Sequence, residues 1–364
     1  MLPRPEGRDD GLPKITPTHT QSVNRNLTAP IGRGPSIVAS KRWCGPPRVY
    51  KRGHYSMNGE FYGADVSKDH LDVACGGRVE RIENTKKAIR GFVNKMPAGS
   101  VVAMEATNTY HQELADTAHC AGMRVYVVNP RVTRHYREVR NLRGHTDRLD
   151  ALTLAGFIER EYEHLREYQP QSAGQRRLKT LLRRRSKLVA TRVKLEQSMG
   201  EIKEVRQEVK GVIDRLERLI KRIETLVEEQ LDGNQDRARI AQIAGVGRIV
   251  SSALICDLES GSFRSADAFV AFYGLDPRPN DSGKSRGRRR LSKQGQRLGR
   301  MLLYNAAMSA VTTRAWAQIY QSCLNRGLTK VQALVVIARK IARTAWSIYT
   351  HKTVFHPARL CAAP

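Results

Sequence analysis

The chain has 364 residues, enough for about two domains with separate cores. Lys and Arg outnumber Asp and Glu by 63 to 35, for a formal charge of +28 and a pI near 10.3, so a polyanion is the expected partner. No apolar run approaches the ~18 residues of a membrane span, and the six cysteines (Cys44, Cys75, Cys120, Cys256, Cys323, Cys361) form no CxxC and no zinc-ligand spacing; the composition reads as a soluble, reduced, cytoplasmic protein.

Residues 1–56, rich in Pro, Gly, Arg and Thr, read as a disordered basic extension. Met57 stands directly before the first strand-like segment and is an alternative start. From about 60 come FYGADV, LDVACG and RVERIE, then helix-like KKAIRGFVNKM, the run VVAMEA, a helix over 110–121 and RVYVVNP. This β-β-β-α-β-α-β order, followed by a helix over 146–163, predicts an α/β sheet domain over 57–168.

Four acids stand out in it. Asp65 closes the first strand and Glu105 the fourth, while Asp147 and Asp150 share a helix face in HTDRLDALTLAGF. An RNase H-like nuclease arranges its acids in this way, and hard oxygen ligands of this kind suit Mg²⁺ at a scissile phosphate. Asp69, Asp72 and Asp116 read as surface or capping residues, and His145 as a loop residue.

Residues 174–232 read as a long helix. Ile202, Val205, Val209, Val212, Leu216, Leu219, Ile223 and Leu226 alternate at three and four residues, a heptad pattern that predicts an oligomerising coiled coil. The preceding RRLKTLLRRRSKLVATRVK is much more basic, which suits either a nucleic-acid backbone or a solvated face.

A second, mainly helical unit spans 238–355. It opens with IAGVG, where Gly245 and Gly247 either point backbone N–H groups at a phosphate or form a packing turn. It also holds NDSGKSRGRRRLSKQG, with three serines among Lys284, Arg286, Arg288, Arg289, Arg290, Lys293 and, just beyond, Arg297 and Arg300. The cations and the glycines Gly283 and Gly287 suit a phosphate-gripping loop. A serine needs an activating base or metal, and the loop holds no His, so the residues themselves do not choose a nucleophile.

GADVSKDHLDV, AMEATNTY and LRGHTDRLDALTLAGF, with the stretch from IAGVGRIVSSALI to RLGRMLL in the second half, resemble the bridge-RNA-guided DEDD insertion-sequence transposases, whose relatives include the Piv pilin invertase. Ala64 and Asn108 depart from that pattern without removing an acid. The resemblance implies a RuvC-like domain, a coiled coil and a transposase domain. It further implies Mg²⁺ held by Asp65, Glu105, Asp147 and Asp150, Ser282 as nucleophile through a covalent 5′-phosphoserine, a structured bridge RNA, donor and target DNA, nucleoid association, and a homo-oligomer in which dimers assemble into tetramers.

Two other functions stay open: a metal-dependent nuclease or resolvase using water, and a non-catalytic nucleic-acid-binding protein. The acids end at 150 and Ser282 lies beyond a helix that at 1.5 Å per residue would reach ~87 Å. Either the helix folds back or the site is completed by another protomer, and the resemblance favours the second.

Overall fold

The computed structural model describes residues 59–106, 109–142, 144–278 and 290–360, with 359 through its backbone alone, and likewise through the backbone alone 281–282 and 285–286. The expected basic extension with its alternative start at Met57, and Asn108, lie outside the described residues.

The first layer is a five-stranded sheet of β1 (Phe61–Val66), β2 (His70–Cys75), β3 (Arg78–Glu83), β4 (Val101–Glu105) and β5 (Arg124–Val128), in the order β3-β2-β1-β4-β5. The first three strands form an antiparallel meander, and β4 and β5 are added parallel to β1. The parallel additions need crossovers, supplied by α1 (Lys86–Val93) and α2 (Gln112–Cys120).

Alternation along the strands sorts the two faces. Tyr62, Ala64 and Val66 of β1 join Ile89, Val93, Leu114 and Ala115 of α1 and α2 in one apolar cluster, whereas Val101, Ala103, Tyr126 and Val128 meet Leu154, Phe157 and Ile158 of α4 (Asp147–Glu161) on the other side. Gly63 governs the closeness of α4. A Cβ there would lie 2.1 Å from Ala155 N and 2.4 Å from Ala151 O, so only glycine lets this helix settle on β1.

Between β5 and α4 the chain makes a further helix, α3 (Pro130–Val139), absent from the expected element order. Its start has a local cause: Asn129 accepts from Arg131 N at 3.0 Å, and Pro130 occupies the first helical position.

The stretch 174–232 is not one straight helix. It forms α5 (Ala173–Met199) and α6 (Arg206–Gln230), with the chain reversing over 200–205. Cross-helix pairs Arg185–Glu224 at 2.6 Å and Arg192–Glu217 at 2.8 Å, together with the Gln230–Gly174 hydrogen bond, fix an antiparallel hairpin.

Burial within α6 follows Val209, Ile213, Leu216, Ile220, Ile223 and Val227. The heptad reading shares Val209, Leu216 and Ile223 with that seam, and its Leu226 is also half-buried, but the other four positions behave differently. Ile202 and Val205 fall in the reversal, and Val212 and Leu219 are 46% and 47% exposed. The hairpin is rooted in the second unit, since Leu178, Leu182 and Val227 belong to that unit's core.

That unit is built from α7 (Gln235–Ala241), α8 (Arg248–Ser260), α9 (Ala266–Phe272), α10 (Arg297–Ala310), α11 (Arg314–Asn325) and α12 (Lys330–His351). The helix α12 carries a buried stripe of Ala333, Ile337, Ala338, Ile341, Ala342, Ala345 and Ile348 at helical spacing. Trp316 is fully buried and donates to Ala244 O at 2.9 Å, which ties α11 to the IAGVG turn.

Candidate active site

Asp65 is the penultimate residue of β1 and Glu105 the last of β4, so parallel pairing brings both to the same end of the sheet. Asp147 and Asp150 lie in the first turn of α4, whose Thr146 cap accepts from Leu149 N at 3.2 Å. Both acids suit the positive end of that helix.

Asp65 is half-buried, and its carboxyl is pushed up to about 6 by burial first, then by the charges of Asp147 and Glu105, with Asp72 adding a smaller push. Asp65, Glu105 and Asp147 therefore share one electrostatic environment. Asp150 is held to one side by an ion pair with Arg137 of α3, which also donates to the Gly144 carbonyl. Thr133, again on α3, donates to Glu105 Oε2 at 3.1 Å. The helix missing from the sequence expectation thus contacts two of the four acids.

Two further residues reach the cluster. Asp72, expected at the surface, is 4% exposed; β1–β2 register sets it opposite Asp65, and Arg81 grips it. His70 Nε2 lies 3.3 Å from Asp147 Oδ2. Asp72, Asp147 and His70 offer ligand atoms all within 4.8 Å of one another. The signal was present: His70 and Asp72 are two apart on a strand, hence on one face. His145 is exposed.

Asp116 is likewise not a free surface acid. It takes Arg176 of α5 at 2.6 Å and Tyr168 at 2.8 Å, which fastens the start of the hairpin to the sheet domain.

The donor set fits a hard divalent cation. Among the described residues, the ligand atoms gathered within one ion's reach are those of His70, Asp72 and Asp147; Asp65 and Glu105 border them at the strand ends, and Asp65 carries the raised pKa that an ion would relieve.

In the second unit, Ser282 lies on β7 (Asp281–Ser282), paired antiparallel with β8 (Ser285–Arg286). Its side chain and that of Arg286 lie outside the description, as do Gly283, Lys284, Gly287, Arg288 and Arg289. The base beneath them is firmly built. β6 (Pro277–Arg278) pairs with β9 (Arg290–Leu291), Ser292 N donates to Asp276 O at 2.9 Å, Lys293 N to Gly274 O at 3.0 Å, and Gln296 N to Phe272 O at 3.0 Å.

Below that base, Asp257 of α8 is 5% exposed and accepts from Tyr273 Oη at 3.0 Å and Gln296 Nε2 at 2.9 Å, joining both sides of the loop to one carboxylate. Arg290, Lys293 and Arg297 are exposed around the base. Gly245, with φ +87°, is a packing turn: a Cβ would lie 2.5 Å from Ala310 Cα. Gly247 caps α8 with open space around it.

Comparison with known proteins finds two consecutive matches on the chain. The family described as "Transposase IS116/IS110/IS902 family" matches residues 237–321, and the IS110-type DEDD transposase domain matches 62–204. The chain is 27% identical to the pilin gene-inverting protein of Moraxella bovis over 261 residues, 69% of this chain and 80% of that one.

It is also 28% identical to a probable family 20 transposase of Pseudomonas aeruginosa, over 36% of this chain and 40% of that one. A 42 kDa protein of the insertion element IS900 from Mycobacterium paratuberculosis is 27% identical over 38% of this chain and 35% of that one. With both matched domains in order on one chain, the protein belongs to the IS110-type DEDD transposases and recombinases of insertion sequences.

Proposed function

We propose that the chain cuts and rejoins DNA by a serine-dependent route assisted by Mg²⁺ and guided by a structured bridge RNA. The observation that carries the chemistry is Asp65, half-buried among carboxylates at the strand ends and pushed up to about 6. Asp65, Glu105, Asp147 and Asp150 would hold Mg²⁺, which when bound polarises a phosphoryl oxygen and stabilises charge at the attacked phosphorus.

Ser282 supplies the nucleophile. Its Oγ forms a bond to phosphorus as the P–O3′ bond breaks, the hydroxyl proton leaves Ser282, and a 3′-OH is released. The product is a 5′-phosphoserine, and the reverse attack by a 3′-OH rejoins the strand without ATP.

Arg290, Lys293 and Arg297 surround the base of the serine loop and fit a phosphodiester backbone, as do Lys284, Arg286, Arg288 and Arg289 by composition. Gly247, open at the start of α8, suits close approach of a backbone, whereas the packing role of Gly245 accounts for that residue. The Moraxella relative's printed role, inverting a gene, also needs both cutting and rejoining.

Capture of the covalent adduct tests the nucleophile. Denatured complexes of the protein with its guide RNA and a cognate DNA should contain DNA-linked chain in the wild type and none in Ser282→Ala; an adduct that persists in Ser282→Ala would refute the assignment. A metal-dependent nuclease using water is the second reading, favoured by the assembly of the acids within the sheet domain alone. It predicts DNA cleavage by Ser282→Ala.

The protein is read as a homo-oligomer, with dimers assembling into tetramers. Support comes from α6, where Val212 and Leu219, seven residues apart, are exposed on the hairpin. If sites are shared between protomers, mixing Ser282→Ala with Asp65→Asn chains should restore part of the activity that each lacks alone. Equal inactivity of the mixture would place the acids and Ser282 of one site on one chain.

A further inference from the structure

Strand register places three side chains in a row across the sheet: Asp65 on β1, Asp72 opposite it on β2, and Arg81 opposite Asp72 on the edge strand β3. Directly paired residues carry their side chains to one face. The helix α4 lies on that face, seated against Gly63, two residues before Asp65.

Asp72 takes the Arg81 guanidinium through both oxygens, Nε to Oδ1 at 3.0 Å and Nη2 to Oδ2 at 2.8 Å. Such a two-point contact fixes the plane of the guanidinium as well as its charge. The same Nη2 reaches Asp147 Oδ2 at 3.3 Å. The Arg81 side chain is 58% exposed, so the charge stands at the mouth of the cluster and not beneath it.

We propose that Arg81, positioned by Asp72, is a resident cation of the acid site. It supplies at Asp147 the positive charge that a second divalent ion supplies in a two-ion arrangement, and the chain therefore binds one divalent ion tightly. The inference rests on the reading of the acids as a metal site.

Its consequence runs against the usual effect of removing an ion pair. Arg81 and an incoming cation compete for Asp147. Without Arg81, Asp72 and Asp147 are freed beside His70 Nε2, with ligand atoms within 4.8 Å of one another. Oxygen ligands joined by one imidazole suit Mn²⁺.

Mn²⁺ titration of the full chain, followed by the paramagnetic resonance signal of the free ion, tests this. One tight ion per wild-type chain is expected, lost in Asp65→Asn. Arg81→Gln should bind a second ion, or bind the first at least about fivefold more tightly; Arg81→Lys, which keeps the charge, should stay near wild type.

Absence of any bound Mn²⁺ on the wild type would overturn the metal reading itself. One bound ion with unchanged or weaker binding in Arg81→Gln, or two tight ions on the wild type, would overturn the role of Arg81 while leaving the metal site standing. Arg81→Gln leaves the buried Asp72 carboxylate without its guanidinium and should melt lower, whereas Arg81→Lys keeps the charge; thermal melts in EDTA set a temperature at which both variants are folded, and binding is compared there.

Discussion

Asp65→Asn should abolish strand cleavage, with a rate loss of at least about a thousandfold, and should make the metal-free protein more stable at neutral pH. Both effects have one origin. The Asp65 carboxyl is pushed up from 3.8 to about 6 by burial and by its acidic neighbours. Below about pH 4 it is protonated in the folded and unfolded chain alike. As pH rises through about 6, the folded chain must ionise it among Asp147, Glu105 and Asp72, and the stability present at lower pH is lost.

Melting temperatures measured in EDTA should therefore fall between about pH 4 and 6 more steeply for the wild type than for Asp65→Asn, and the two should run parallel from there to pH 8. Divalent affinity should run the other way, rising by about tenfold per pH unit up to about 6 and levelling above, because the ion displaces the proton. A flat affinity profile between pH 4.5 and 7 would remove Asp65 from the ligand set.

Arg137→Ala is the second large effect. The Arg137 side chain is 7% exposed and pairs with Asp150, itself 29% exposed, while also donating to the Gly144 carbonyl just before the acidic helix. Truncation leaves a largely buried carboxylate without a partner and a carbonyl without its donor. Such losses cost about 3 kcal/mol, readable as a lower urea midpoint at unchanged slope. Arg137→Lys keeps the charge but loses the fork that reaches two acceptors at once, and should recover only part of the loss. If Arg137→Ala unfolds at the wild-type urea concentration, the pair contributes nothing to holding α4.

The sheet and its acids were legible because strand patterning is local. Runs such as FYGADV and VVAMEA mark their own ends, and an acid at a strand end in this element order already suggests a metal site. The helix α3 was not legible by apolar pattern: PRVTRHYREV is dominated by charged and polar residues, and only the Asn129–Pro130 start announces it. With it went Arg137 and Thr133, whose value lies in contacts made across a chain reversal.

Asp72 failed for a related reason. An aspartate beside strand residues usually faces water, and its burial becomes intelligible only once register places Arg81 opposite it. In the helical hairpin, periodicity identified apolar positions correctly but not which stripe would be used. Two stripes share Val209, Leu216 and Ile223, and the fold-back over 200–205 selects the one that faces α5.

That fold-back also separates two properties of the arm. Gln230 donates to the Gly174 carbonyl, so the hairpin enters and leaves at nearly the same point. Removing or adding matched heptads on α5 and α6 changes how far the tip reaches while leaving the two anchored ends where they are. The reach of the arm can thus be reset by design without moving its two anchored ends.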